Sequence, residues 1–224
     1  GITTAYLLAK RGVKVVVLNA GPILEGTTKH TTAKVTTQHG LIYHEFLSHF
    51  GEEKTRLYYE ANHEALMLVK QTVEELGIEC QFTEDDAYLY TSDEAYLSQL
   101  QDEYMAYGKL NIPGDYLESI PLPYETKAAV RIKGQARFNP VPYLIRLVQE
   151  ITQHGGQIFE GTTVVGATHE KPSMVKTKQG HQVTCDYVVT ASHYPFNDIK
   201  GAYFTRLHAE KSYVLAARTK TAFP

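Results

Sequence analysis

The residues best equipped for chemistry lie close to the N-terminus. The run Gly26-Thr27-Thr28-Lys29-His30-Thr31-Thr32-Ala33-Lys34-Val35-Thr36 combines small hydroxyl side chains with two lysines and an imidazole. Small residues let hydroxyls and backbone N–H groups approach an anion closely, so the segment suits a phosphate-bearing ligand. A solvated threonine-rich loop would have the same composition. Before it stand Gly1 and, after a hydrophobic run, Asn19-Ala20-Gly21. His39, His44 and His49 are spaced by five, which does not put them on one helix face, and no metal site is expected. Cys80 and Cys185 lie far apart without a Cys-x-x-Cys or Cys-x-His pairing. They read as reduced structural thiols, and a disulfide between them stays open.

Elements must hold these residues in place. Ile2, Ala5, Leu8 and Ala9 share one helical face, and Gly12 is a natural stop. Val13–Leu18 then reads as a buried parallel strand. A glycine opening a helix that feeds a strand with a polar end is the tail of the dinucleotide-binding fingerprint. Gly1 takes the place of the third glycine, which allows close helix–strand packing. Asn19 takes the place of the acidic residue that accepts from ribose hydroxyls. An asparagine accepts through its amide oxygen without the charge, or stands there simply because a turn follows. On the ribose reading, Asp or Glu at position 19 should not weaken binding. The fingerprint's first strand and first two glycines are missing, so the chain is expected to be cut at its N-terminus. With those backbone donors gone, it is expected to hold a dinucleotide weakly and to offer an open sheet edge for dimerisation.

Further along, Leu57, Ala61, Ala65, Leu68, Val69, Thr72, Val73 and Leu76 predict a helix over 52–76 that ends at Gly77. Ala87–Thr91 reads as a strand, and Thr91 with Glu94 as a capping box for a helix through about 109. Lys127–Phe138 is strand-like, and Asn139-Pro140 opens a helix that Gly155-Gly156 stops. Short strands are expected at Gln157–Glu160, Thr162–Thr168, Met174–Thr177 and Gln182–Thr190, and a last pair at Ala202–His208 and Ser212–Arg218. Hydrophobic residues form 43% of the 224, enough for a core, and the net charge of -3 gives no basic field for nucleic acid. No apolar run is long enough to span a bilayer, and a cytoplasmic protein is expected.

The segment Gly26–Thr36, taken with Gly1–Gly21, resembles the FAD-dependent oxidoreductases of the D-amino-acid oxidase/glycine oxidase superfamily. Within that group it is most similar to the bacterial branch whose chains carry a C-terminal Rieske [2Fe-2S] domain. The likeness continues through Gly134-Gln135-Ala136-Arg137-Phe138-Asn139-Pro140, Thr162–Val165 and the Val-Val-x-Ala run of Val188–Ala191. The resemblance implies an α/β fold: a Rossmann-like FAD-binding layer, incomplete here, with an interleaved antiparallel β substrate layer. The FAD layer is expected from 1–80 and 135–200, the substrate layer from 81–134 and 201–224. The implied cofactor-binding residues are Gly1, Asn19, Ala20, Gly21, Gly26, Thr27, Thr28, His30, Thr31, Thr32, Ala33, Lys34, Val164, Val165, Ala191 and Ser192. Arg131, Tyr203, Arg206 and Tyr213 are candidates to hold the carboxylate of an amine or amino-acid-like substrate; a structural role for each stays open. No catalytic base and no electron acceptor can be assigned. The iron–sulfur cluster would belong to the absent C-terminal domain, because a Rieske centre needs two cysteines and two histidines in a pattern not found here. An inactive structural or interaction fragment, and an NAD-binding dehydrogenase domain, are the competing readings.

Overall fold

The computed structural model describes residues 1–168, 170–195, 201–215, 217, 218 and 220. It divides the chain into two compact units. One joins Gly1–Thr31 to Val141–Arg218, and the other is built on Thr32–Pro140. Compactness thus draws its boundary at Thr31/Thr32, because the long helix that follows packs with the second unit.

In the first unit, helix α1 (Ile2–Lys10) leads into strand β1 (Val16–Leu18). Its buried residues are Ala5, Tyr6 and Ala9, so the apolar face is centred on Tyr6 rather than Leu8. Helix α4 (Pro140–Gln153) precedes β6 (Gln157–Phe159), and β6 pairs in parallel with β1 through Val16↔Gln157, Val17↔Ile158 and Leu18↔Phe159. The parallel pairing agrees with expectation; the burial does not. Val16 is 43% and Phe159 47% exposed, since among the described residues the sheet has only these two strands. A separate antiparallel sheet runs β7 (Val164–Ala167), β8 (Ser173–Thr177), β9 (Gln182–Cys185). Strand β9 stops at Cys185, short of the expected Thr190. Tyr187, Val188 and Val189 beyond it are exposed, and no strand among the described residues pairs with them. The expected final strand pair is also absent: Tyr203–Arg206 is a 3-10 turn, and Ser212–Leu215 has no regular structure. Tyr213 and Leu215 are more than nine-tenths exposed, so no described residue buries the side chains of the expected strand. Ala216, within that expected strand, lies outside the described residues.

The second unit is a sheet against two helices. Strand β5 (Ala128–Arg137) is its spine, with β2 (Lys34–Val35), β3 (Thr83–Thr91) and β4 (Gly114–Leu117) all antiparallel to it. Ala128, Val130 and Ile132 alternate along β5 into a core with Tyr43, Leu100, Tyr107 and Leu110 from helices α2 (Tyr43–Leu76) and α3 (Leu97–Leu110). Ala87–Thr91 pairs with Ala128–Ile132 and not with β1.

Helix α2 starts nine residues before the expected position 52, with a break at Gly51 (φ 78°), and ends as expected at left-handed Gly77. Its buried side is also rotated from the one read in the sequence. Thr72 is buried as expected, but Thr55 and Leu66 are buried as well, whereas Ala61 and Ala65 are exposed and Leu57 is 58% exposed. Tyr58 and Tyr59 pack against the core instead, since a tyrosine can bury its ring while its hydroxyl finds a polar partner. Thr91 does not cap α3: Asp93 accepts from the Ala95 N–H at 2.9 Å and caps a 3-10 turn over Glu94–Tyr96, and α3 follows it with no side-chain cap.

Candidate functional site

Helix α1 begins at Gly1 with no side-chain cap and no acidic residue in its first turn. Its first internal hydrogen bond runs from the Ala5 N–H to the Gly1 carbonyl at 2.9 Å. The N–H groups of Ile2, Thr3 and Thr4 therefore have no acceptor within the helix, and the helix dipole makes this end favourable for an anion. A Cβ placed on Gly1 would stand 3.4 Å from the Ala191 Cβ, so the fold brings Gly1 and Ala191 side by side. Ser192 follows in a tight turn, its hydroxyl donating to the Tyr194 carbonyl at 2.6 Å.

At the far end of β1, Asn19 is held on every side. Its N–H donates to the Phe159 carbonyl (2.9 Å), and its carbonyl accepts from the Thr162 N–H (2.8 Å). Its side-chain Nδ2 donates to the carbonyls of Gly21 (2.8 Å) and Pro22 (3.1 Å). The amide thus closes the Asn19–Pro22 turn with its donor, leaving Oδ1 as the acceptor. Glu160, one residue past the Leu18↔Phe159 pair, fastens the next stretch by accepting from the Ile23 N–H at 2.6 Å. Sequence reasoning missed Glu160. The one available signal was its place at the end of a predicted strand, directly before Gly161.

These bonds alter the expectation for position 19. An aspartate there has no proton for the Gly21 and Pro22 carbonyls and sets a carboxylate against them. Asn19→Asp is therefore expected to destabilise the first unit by about 1–2 kcal/mol. Urea denaturation would test this, and an Asp variant as stable as the parent would show that the turn does not need the amide.

The threonine-rich segment is divided between the units. Gly26–His30 forms a 3-10 turn with its residues at or near the surface, and Lys29 pairs with Glu25 at 3.3 Å. Thr27, Thr28, His30 and Thr31 stay with the first unit; Thr32, Ala33 and Lys34 belong to the second. Ala33 has a left-handed backbone (φ 57°), and Lys34 pairs with Arg137 in β2. On β7, Val164 pairs with Thr177, and Val165 sits at a bulge, 58% exposed.

The candidate substrate residues do not converge within the first unit: Tyr203 and Arg206 lie on the exposed 3-10 turn and Tyr213 projects into solvent. In the second unit, Arg131 donates through Nε to Asp115 at 3.0 Å and through Nη1 to Asp86 at 3.4 Å, over the Tyr88 ring. The Asp115 carboxylate pushes the Arg131 pKa up, and Arg131 together with Lys133 holds that of Asp115 down. A substrate carboxylate would have to share Arg131 with them. Among the described residues no three His, Cys, Asp or Glu side chains gather as a metal site, and no helix is long and apolar enough to cross a membrane.

The sequence matches the family model described as FAD dependent oxidoreductase over residues 1–223. The chain belongs to that family. It is 44% identical, over all 224 residues, to YhfW of Bacillus subtilis (strain 168), whose name describes a Rieske 2Fe-2S iron-sulfur protein; the chain spans 44% of that relative's length. Glycine oxidase from Geobacillus kaustophilus superposes with a TM-score of 0.72 at 19% identity, over 92% of this chain and 55% of its own. L-proline dehydrogenase from P. horikoshii gives 0.67 at 22% identity, over 85% of this chain and 49% of its own. L-amino acid deaminase from Proteus vulgaris also gives 0.67, at 16% identity, over 85% of this chain and 44% of its own. These likenesses establish the fold of this FAD-dependent oxidoreductase chain.

The residues present fit the cofactor that the family name implies. The uncapped α1 start suits a pyrophosphate, Gly1 allows a close approach beside Ala191, and Asn19 Oδ1 suits a ribose hydroxyl.

Proposed function

We propose that the whole protein containing this chain oxidises an amine or amino-acid-like substrate with FAD, and that this chain supplies much of the FAD-binding part. The observation that carries the reading is the juxtaposition of Gly1 and Ala191 at the uncapped start of α1. In the first unit, Gly1 and the α1 N–H groups would hold the pyrophosphate. Asn19, Ala20 and Gly21 would meet the ribose, Val164 and Val165 the adenine by backbone, and Gly26–Thr31 the phosphates. Ala191 and Ser192 would line the same cofactor. Thr32, Ala33 and Lys34, in the second unit, are the remaining cofactor-binding residues that the resemblance implies. When bound, FAD supplies the hydride acceptor, and the protein orients the substrate and excludes water. Arg131, Tyr203, Arg206 and Tyr213 are the proposed carboxylate contacts. The name of the Bacillus subtilis relative supports a Rieske cluster elsewhere in the whole protein, where it could take electrons onward.

The test is direct. The purified whole protein should be yellow with a flavin spectrum, and an amine or amino acid added without oxygen should bleach it. A colourless protein that takes up no added FAD would overturn the reading and favour a structural or interaction role.

A further inference from the structure

We infer that the groove between α2 and α3, within the second unit, is a face through which two copies of this chain pair about a twofold axis. The two helices are tied together at both ends. At one, Glu103 on α3 accepts from the Tyr43 and His44 N–H groups of α2 at 3.1 and 2.9 Å. At the other, Arg56 on α2 donates to the Leu110 carbonyl at 3.1 Å and to the Lys109 carbonyl at 3.3 Å. The helices therefore run side by side in the same sense, and the groove between them is preformed. It holds a cavity of about 250 Å³ walled by Leu47 and Met105, with buried Ala106 at its base and Asp102 and Lys109 on its α3 side.

The α3 side of this groove is complementary to itself. Asp102 and Lys109 are two helical turns apart and so share one face. The midpoint between them falls between Met105 and Ala106. A second α3 laid antiparallel across that point sets Asp102 against the partner's Lys109, and Lys109 against the partner's Asp102. It also sets the long Met105 side chain against the partner's Ala106, where the groove has room for it. A closed pair of identical chains requires a surface of this kind. Three observations favour a second copy as the occupant. Met105 is 57% exposed, although its thioether chain gains by burial. Neither the Asp102 nor the Lys109 side chain is paired among the described residues, so both charges are free to meet a partner. Gly108 lies inside α3, and a Cβ there would meet nothing within 4 Å. The chain's own packing gives no reason for a glycine that weakens the helix, whereas the close approach of a second helix beside Met105 does. The face is only two helices wide, so the pairing should be weak, with a dissociation constant on the order of 10–100 μM.

Sedimentation velocity of the whole protein over about 1–200 μM tests this. The parent is expected to pass reversibly from monomer to dimer. Asp102→Lys and Lys109→Glu each set like charges together at both contacts of a homodimer, and each should weaken pairing at least about tenfold. An equimolar mixture of the two variants has opposite charges at both contacts, so the mixture should pair at least as tightly as the parent. Met105→Glu, a change at an exposed position, should abolish pairing in the same range. A parent that stays monomeric throughout overturns the inference and leaves the groove to a partner of other chemistry. Parent-like pairing in both single charge variants overturns it too, since the contact then lies elsewhere. So does a mixture that pairs no better than its components, because the loss would then reflect damage to the chain rather than broken charge contacts.

Discussion

Replacing Glu103 with alanine is expected to destabilise the Thr32–Pro140 unit by about 3 kcal/mol. Glu103 lies within α3 and is fully buried. Its carboxylate accepts from the N–H groups of Tyr43 (3.1 Å) and His44 (2.9 Å), which open α2. The residue before them, Ile42, has no side chain able to cap, so a neighbouring helix supplies the cap instead. Alanine would strand the Tyr43 donor in the core and leave a void beside it. The substitution also removes a buried charge, which returns part of the loss. Burial outweighs the hydrogen bonds in setting the Glu103 pKa, which stands above the ordinary carboxylate value. The native state therefore holds this proton at pH values where the unfolded chain has released it. The stabilisation from that proton is complete below the unfolded value, about 4.3, and fades as pH rises through the native one. The penalty of Glu103→Ala should accordingly be largest at acid pH, shrink as pH climbs through that window, and then level off. Urea denaturation at a series of pH values, followed by tyrosine emission since the chain has no tryptophan, measures this. A penalty below about 1 kcal/mol, or one that grows with pH, would show that the carboxylate is not the cap described.

Glu103 also shows where sequence reading runs out. Local signals were legible: Gly12 and Gly77 end their helices, Pro140 opens α4, and the β8 and β9 strands start where their apolar patterns start. Each rests on chemistry contained in a few consecutive residues. What failed depended on partners far away. The buried side of α2 was read without Tyr58 and Tyr59, whose rings pack on a core supplied by residues of α3 and β5 far along the chain. The strands expected at 186–190, 202–208 and 212–218 have suitable side chains, but no described strand lies beside them to complete a ladder. At the candidate site, Gly1 and Ala191 were both named from the sequence, yet nothing local says that they touch. Asn19 was read as an acceptor, and its donor role appears only once the Gly21 and Pro22 carbonyls fold back onto it. Gln135 was noticed as part of a motif, but not as the residue whose side chain accepts from the buried Thr37 N–H.

The turn from α4 into β6 allows a sharper test, because two adjacent glycines serve it for different reasons. Gly155 is left-handed (φ 81°), and a Cβ there would meet nothing within 4 Å. Gly155→Ala should therefore cost only the backbone strain, about 1–2 kcal/mol. Gly156 has no such backbone constraint, but a Cβ on it would lie 2.6 Å from Ile151 Cγ2 and 2.9 Å from the Ile151 carbonyl oxygen. Neither atom yields easily. Ile151 is fully buried with a β-branched side chain, and its carbonyl already accepts from the Gly156 N–H at 2.8 Å. Gly156→Ala is expected to destabilise the first unit by about 3 kcal/mol or more, at the upper end for overpacking a core. The consequence extends beyond stability, because Gln157 begins β6 at the next residue. That strand carries the Phe159 carbonyl that receives the Asn19 N–H, and Glu160, which receives the Ile23 N–H. A backbone shifted at Gly156 should loosen the Asn19–Ile23 turn, so hydrogen exchange there should rise more in Gly156→Ala than in Gly155→Ala. Urea denaturation of the two variants supplies the comparison. Equal losses, or a larger loss for Gly155→Ala, would mean that conformational strain rather than contact with Ile151 governs this turn, and that β6 has room to move without disturbing the candidate ribose site.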